Sequence, residues 1–194
     1  CFKFPISFIS GIVTHFFDIL ARKIIVMRKS ESTEQQATAI AATMAPVYYE
    51  LLLTAIQKLI IPPELFESNS KETCDAVLES RREWKYTAQD CIDVIGEVQS
   101  RTIITRIIQT EIEAGTLQLN KAEAILLVSR YLCFEEDHLE SAEITYLVNF
   151  VFSCPRQNFI LLETIMKFIE YFVPWLELNQ EFVTQALQIV IGCL

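Results

Sequence analysis

The chain has 194 residues, a hydrophobic fraction of 52%, four glycines and six prolines, which excludes a disordered or collagen-like polypeptide and leaves little punctuation for short strands and tight turns. Its formal net charge of −9 lacks the cationic excess that nonspecific phosphate binding needs, so direct nucleic-acid binding is not expected and a basic protein partner fits the sign better.

Apolar residues recur at helical spacing from Ile6 to Met27, and the polar run Arg28 to Glu34 closes that first helix. Thr14, His15 and Asp18 interrupt its apolar stretch, which falls short of the roughly 20 residues a bilayer needs, so a buried helix is predicted and no membrane insertion. The segment has no initiating methionine and no small-residue cleavage site after it, unlike a signal peptide. Cys1 at the front and Ile191-Gly192-Cys193-Leu194 at the back predict a piece of a longer chain.

Helical spacing returns from Thr33 to Ile61, with Pro46 expected to kink the rod or start a new helix, and Pro62-Pro63 ends it. From Glu64 to Glu83 the sequence has six acidic residues, Glu64, Glu67, Glu72, Asp75, Glu79 and Glu83, and few large apolar ones. An acidic connecting loop near 62–81 is predicted, and a loop of that length usually has work to do.

A helix from Arg82 to Ile95 stops at Gly96, and its partner runs from Ser100 to Glu113 before Gly115. Asn120 with Glu123 has the spacing of a capping box, opening a helix from Lys121 to Cys133. After the turn Glu135-Glu136-Asp137-His138, a helix from Leu139 to Phe152 ends at Cys154-Pro155. Phe159, Leu162, Ile165, Met166, Ile169, Phe172 and Val173 form the clearest stripe, ended by Pro174. Asn179 is placed to cap a last helix bearing Phe182, Val183, Ala186, Leu187, Val190 and Ile191. Starts at Arg82, Lys121 and Asn158 are 39 and 37 residues apart, close to the roughly 40–47 residue period of HEAT and armadillo repeats. The predicted fold is all-α: residues 1–194 as one segment of a HEAT/armadillo-like solenoid, a right-handed α-α superhelix.

Catalytic and metal signatures are missing from this pattern. The six cysteines are widely spaced, without a Cys-x-x-Cys pair or a nearby histidine, and read as reduced, mostly buried thiols of an intracellular protein. His15 and His138 stand alone, and the glycine contexts include neither a phosphate-cradling loop nor a Gly-x-Ser-x-Gly turn. No cofactor is implied and no enzymatic activity is expected. Trp84 and Trp175 read as core, and the pairs Glu135-Glu136 and Glu111 with Glu113 as solvated surface.

Several residues carry a resemblance. Glu123-Ala124-Ile125-Leu126 resembles the Glu-Ala-hydrophobic-hydrophobic start of a repeat helix in importin-β-type nuclear transport receptors of the transportin-SR and importin-13 branch. Thr164 followed by Trp175-Leu176 resembles that branch's Thr and Trp-Leu signature, and Asp90 to Gly96 its Asp-containing helix ending hydrophobic-Leu-Gly. The matches lie between Arg81 and Leu194; where relatives often carry Asp-Asp and Phe-Arg, this chain has Cys74-Asp75 and Ser80-Arg81.

The resemblance implies a receptor that shuttles between cytoplasm and nucleus, binds protein cargo along its inner surface and exchanges it under Ran-GTP. The full-length protein would also bind nuclear-pore Phe-Gly repeats, and no Ran site is transferred to these residues because the family's principal one lies in earlier repeats. In that architecture the second helix of each pair lines the inner surface, which points to Glu111, Glu113, Glu140, Glu143 and Glu181 as contacts for basic cargo, beside the acidic loop with Glu64, Glu67, Glu72, Asp75 and Glu79. A HEAT-type scaffold or regulatory subunit unrelated to transport is the alternative. A helical enzyme would be favoured by a deep apolar pocket converging on His15 or His138 with several carboxylates.

Overall fold

The computed structural model describes residues 6–68, 79, 81–132 and 141–192, and every element among them is helical. Helix α1 spans Ile6–Arg28 and α2 spans Glu34–Leu59. Between them Thr33 Oγ1 donates to the Met27 carbonyl at 2.8 Å, pinning the short turn. On α2, Ala37, Ala41, Tyr48, Leu52, Ala55, Ile56 and Leu59 are buried at three- and four-residue steps, while Gln36, Thr43, Glu50 and Gln57 face water. α2 is the one described helix long and apolar enough to cross a bilayer, and this two-faced pattern is that of a helix covered on one side by protein.

Pro46 neither ends nor divides α2, so of the two expectations the start of a new helix is not met. It lies on the exposed side, where water can serve the Ala42 carbonyl that proline leaves without a donor. Part of the expected acidic loop near 62–81 is helical, and residues 69–78 and 80 of it lie outside the described residues. Residues Pro63–Ser68 form a short helix, α3, that starts on a proline and buries Phe66. Two asparagines hold this region: Asn120 Nδ2 donates to the Ile61 carbonyl at 2.7 Å and Asn158 Nδ2 to the Phe66 carbonyl at 2.6 Å.

The remaining helices are α4 (Arg82–Ile95), α5 (Glu97–Glu113), α6 (Leu119–Ser129), α7 (Ala142–Ser153), α8 (Phe159–Tyr171), α9 (Val173–Leu178) and α10 (Val183–Ile191), with a 3-10 turn at Gln180–Phe182. Gly96, with φ of 96°, turns the chain directly from α4 into α5 in a conformation that L side chains rarely adopt. Ser141 and Asn158 cap α7 and α8 by accepting from the Ile144 and Leu161 amides.

Two expected caps are absent. α6 begins at Leu119, so Asn120 is already inside the helix; its Oδ1 accepts from the Lys121 amide at 2.9 Å, but no box closes, because Asn120 Nδ2 and Glu123 bond to tertiary partners. Asn179 ends α9 by donating to the Trp175 carbonyl at 2.9 Å, and the 3-10 turn, not a side-chain cap, leads into α10. Pro174 stops α8 but is the second residue of α9, where a proline lacks nothing the helix would use.

α4 packs against α1 and α2, α6 against α2, α4 and α8, α5 against α7, and α8 against α9 and α10. Helices α4, α6 and α8 therefore form one row, and α5 and α7 lie beside each other in a second. The buried residues make one connected core from Ala21 to Ile189 that includes Trp175, Phe168 and Phe172, the last two with stacked rings 3.8 Å apart. Trp175 is core, as its helical spacing indicates, and Trp84 is half-buried against that core. Cys91 and Cys154 are free, buried thiols; burial raises both, Cys154 to about 11.

Candidate functional site

The acidic residues singled out from the sequence are distributed over separate elements. Glu64 and Glu67 are exposed on α3, and Glu79 is exposed ahead of α4, 3.8 Å from Arg82. Glu111, half-buried on α5, pairs with Lys121 at 2.6 Å and accepts from Thr116 at 2.8 Å; these hydrogen bonds, Lys121 first, hold its carboxyl below the usual range. Glu113 is exposed at the end of α5, Glu143 half-buried in the first turn of α7, and Glu181 exposed in the 3-10 turn. Glu72, Asp75 and Glu140 lie outside the described residues.

A different set of carboxylates converges between α1 and α4. A cleft of about 390 Å³ opens there, lined by Thr14, His15, Asp18 and Arg22 from α1 and by Glu83, Tyr86, Asp90 and Asp93 among others from α4. Helical periodicity builds each wall: Thr14, Asp18 and Arg22 recur every four residues, and Glu83, Asp90 and Asp93 repeat at seven and three. Thr14 Oγ1 donates to Glu83 Oε1 at 2.8 Å across the cleft, and Arg22 Nε donates to Asp18 Oδ1 at 2.6 Å along α1.

Asp90 is the strained member. Burial first, then the charges of Asp18 and Asp93, push its carboxyl up to about 7, with Arg22 opposing. Asp93 is also raised by burial, against Arg28, whose guanidinium donates to the Asp93 and Val94 carbonyls. Burial and the neighbouring acids hold this proton, and a further cation would favour its release, so the cleft can take a lysine or arginine side chain from outside. Nothing in the primary sequence aligns α1 with α4; the readable signals are the four-residue spacing of Asp18 and Arg22 and the paired Asp90 and Asp93.

A second feature is structural. Arg81, just before α4, bonds Glu123 of α6 through both terminal nitrogens, at 3.2 and 2.7 Å, and Glu123 Oε1 accepts from Thr164 Oγ1 of α8 at 2.8 Å. All three side chains are buried. Between α2 and α5 lies an apolar groove of about 510 Å³ with Leu53, Ile103 and Ile107 in its wall. Among the described residues no three His, Cys, Asp or Glu side chains are grouped to hold a metal ion. Compared with known proteins, the chain matches no family model, no curated protein and no solved structure.

Proposed function

We propose that this chain is a HEAT-like repeat segment of an importin-β-type nuclear transport receptor, and that the cleft between α1 and α4 receives a basic stretch of protein cargo. The observation that carries the binding role is the convergence of Asp18, Asp90 and Asp93 on one cleft, where burial and then mutual repulsion raise the Asp90 carboxyl and an incoming cation offsets both. The row of α4, α6 and α8 beside α5 and α7 supports a solenoid reading, since stacked helix pairs bury both sides of each helix. Residues that carry the family resemblance also have a shared physical role, because Glu123 and Thr164 meet in one buried cluster with Arg81.

The mechanism is noncovalent. Cargo and Ran-GTP prefer different curvatures of one flexible solenoid, so each shifts the affinity for the other, and the full-length receptor exchanges cargo while shuttling between cytoplasm and nucleus past Phe-Gly repeats. The cleft with His15 and its carboxylates also raises the question of hydrolytic chemistry. His15 itself is exposed and the walls are polar rather than a deep apolar pocket, which favours docking over catalysis. Titrating the full-length protein with Ran-GTP tests the reading. Nucleotide-dependent binding, with basic cargo affinity lost in a D18N/D90N variant, is expected; no response to Ran-GTP would overturn the transport role and leave a HEAT-type scaffold.

A further inference from the structure

Arg81, Glu123 and Thr164 fix three helices at one level, and the same faces carry cations further along. Lys85 follows Arg81 by four residues on α4, and Lys167 follows Thr164 by three on α8. Arg130 and Tyr171 are each seven residues beyond Glu123 and Thr164, and they touch, the Arg130 guanidinium standing 5.2 Å from the Tyr171 ring. α6 and α8 therefore run parallel here. The guanidinium also lies 5.5 Å from the Tyr131 ring.

Charge is unevenly settled on this face. Arg81 is neutralised by Glu123, and Lys167 by Glu163 one turn away. Lys85 and Arg130 have no carboxylate within ion-pair distance among the described residues, and Arg130 Nε is buried without a hydrogen-bond partner. Lys85 sits in the first turn of α4, at the positive end of that helix's dipole, so the dipole adds to the excess. Burial and then the charges of Arg130, Arg81 and Lys167 pull the Lys85 ammonium below its usual range. Among the described residues, two positive charges without a carboxylate partner thus stand on this face, on a chain whose formal net charge is −9.

We propose that this face of α4, α6 and α8 is a docking site for an acidic peptide segment of a partner protein, with paired carboxylates meeting Lys85 and Arg130. Two monoanionic carboxylates match these two cations, and the planar guanidinium presents a fork suited to bidentate carboxylate binding. The exposed Tyr171 ring, in contact with the Arg130 guanidinium, offers an apolar face to the methylene groups that Glu and Asp side chains bring. The site is opposite in sign to the cleft between α1 and α4 and does not depend on the transport reading.

The test uses a fluorescein-labelled decapeptide of alternating Asp and Glu, titrated against the full-length protein by anisotropy, with a Lys/Arg decapeptide and inorganic phosphate as competitors. Saturable binding is expected, falling with added NaCl and weakened about tenfold by K85Q or by R130Q, the scale of one charge-assisted hydrogen bond. D90N, in the other cleft, is expected to leave it unchanged. Circular-dichroism melts of both glutamine variants show that the fold survives. Binding that K85Q and R130Q leave intact, or no saturation at millimolar peptide, would overturn the site; inorganic phosphate binding as tightly as the peptide would also overturn it, in favour of a small-oxyanion pocket.

Discussion

Arg81 reaches from the start of α4 into α6 and sets its guanidinium on the Glu123 carboxylate, with Nη2 2.7 Å from Oε2 and both side chains at most 4% exposed. Removing two charges from water carries a large penalty, and attraction offsets it only when the remaining polar atoms are also bonded. Here Thr164 supplies a further bond to the carboxylate, while Arg81 Nε has no partner. The cluster joins three helices of one row, so its value lies as much in setting their register as in stability.

Breaking the pair from one side strands a buried charge. Arg81→Met or Glu123→Leu alone is expected to lower stability by about 3–5 kcal/mol. The double variant is expected to lose less than the sum, since neither charge is then left alone. Urea unfolding of the singles and the double measures this as a coupling energy, expected above about 1 kcal/mol; additive losses would show that the two groups act separately.

Tyr48 is fully buried on α2, and its hydroxyl donates to the Phe17 carbonyl of α1 at 2.9 Å, with the two rings edge-to-face at 5.5 Å. Tyr48→Phe keeps the ring contact and removes one of two bonds to a carbonyl that, inside α1, still accepts from the Ala21 amide. A loss of about 1 kcal/mol is expected, or roughly 2–4 °C in melting temperature for a chain of this size. A thermal melt by circular dichroism checks it, and an unchanged midpoint would mean that the hydroxyl bond adds nothing to the ring packing.

Much of the helical order is legible in the sequence because burial imposes a period, and the glycine and proline stops are local chemistry. Gly96 and Pro155 fall at real breaks, but of the stripe from Phe159 to Val173 only Ile165, Ile169 and Phe172 are buried, and Ile160, Leu161, Thr164 and Phe168 complete the buried face instead. Tertiary partners are harder to read. Asn120 and Glu123 have capping-box spacing, yet each is satisfied by a segment distant in sequence, Ile61 in one case and Arg81 with Thr164 in the other. The acidic cleft shows the same limit: Asp18 and Asp90 belong to helices with no shared pattern, and only packing of α1 on α4 brings them to one cavity.

Pro46 remains inside a continuous helix, on its exposed side. Pro46→Ala restores an amide donor to the Ala42 carbonyl and relieves the ring's clash with the preceding turn. The gain is reduced because proline also restricts the unfolded chain. Stabilisation by about 1–2 kcal/mol is expected, below the full helix-propensity difference. Urea unfolding measures it, and a destabilised variant would show that the restriction proline places on the unfolded chain outweighs the restored helix bond.

Asp90 makes stability depend on pH in a direction opposite to the usual carboxylate. In the unfolded chain it ionises near the ordinary value of 3.8, whereas in the fold burial and the neighbouring Asp18 and Asp93 hold its proton up to about 7. Between those values the folded chain binds a proton that the unfolded chain has released, so stability is highest on the acid side and declines as pH rises through this window. Asp90→Asn removes the titration while keeping a similar shape. The variant is expected to match the wild type at about pH 4 and to exceed it at about pH 8 by on the order of 1 kcal/mol, a figure reduced because the group is partly exposed. Urea midpoints for both proteins across that range decide it. A variant retaining the full wild-type slope would place the titrating proton elsewhere, whereas a flattened slope together with weaker binding of a basic peptide would tie the same carboxyl to stability and to recognition.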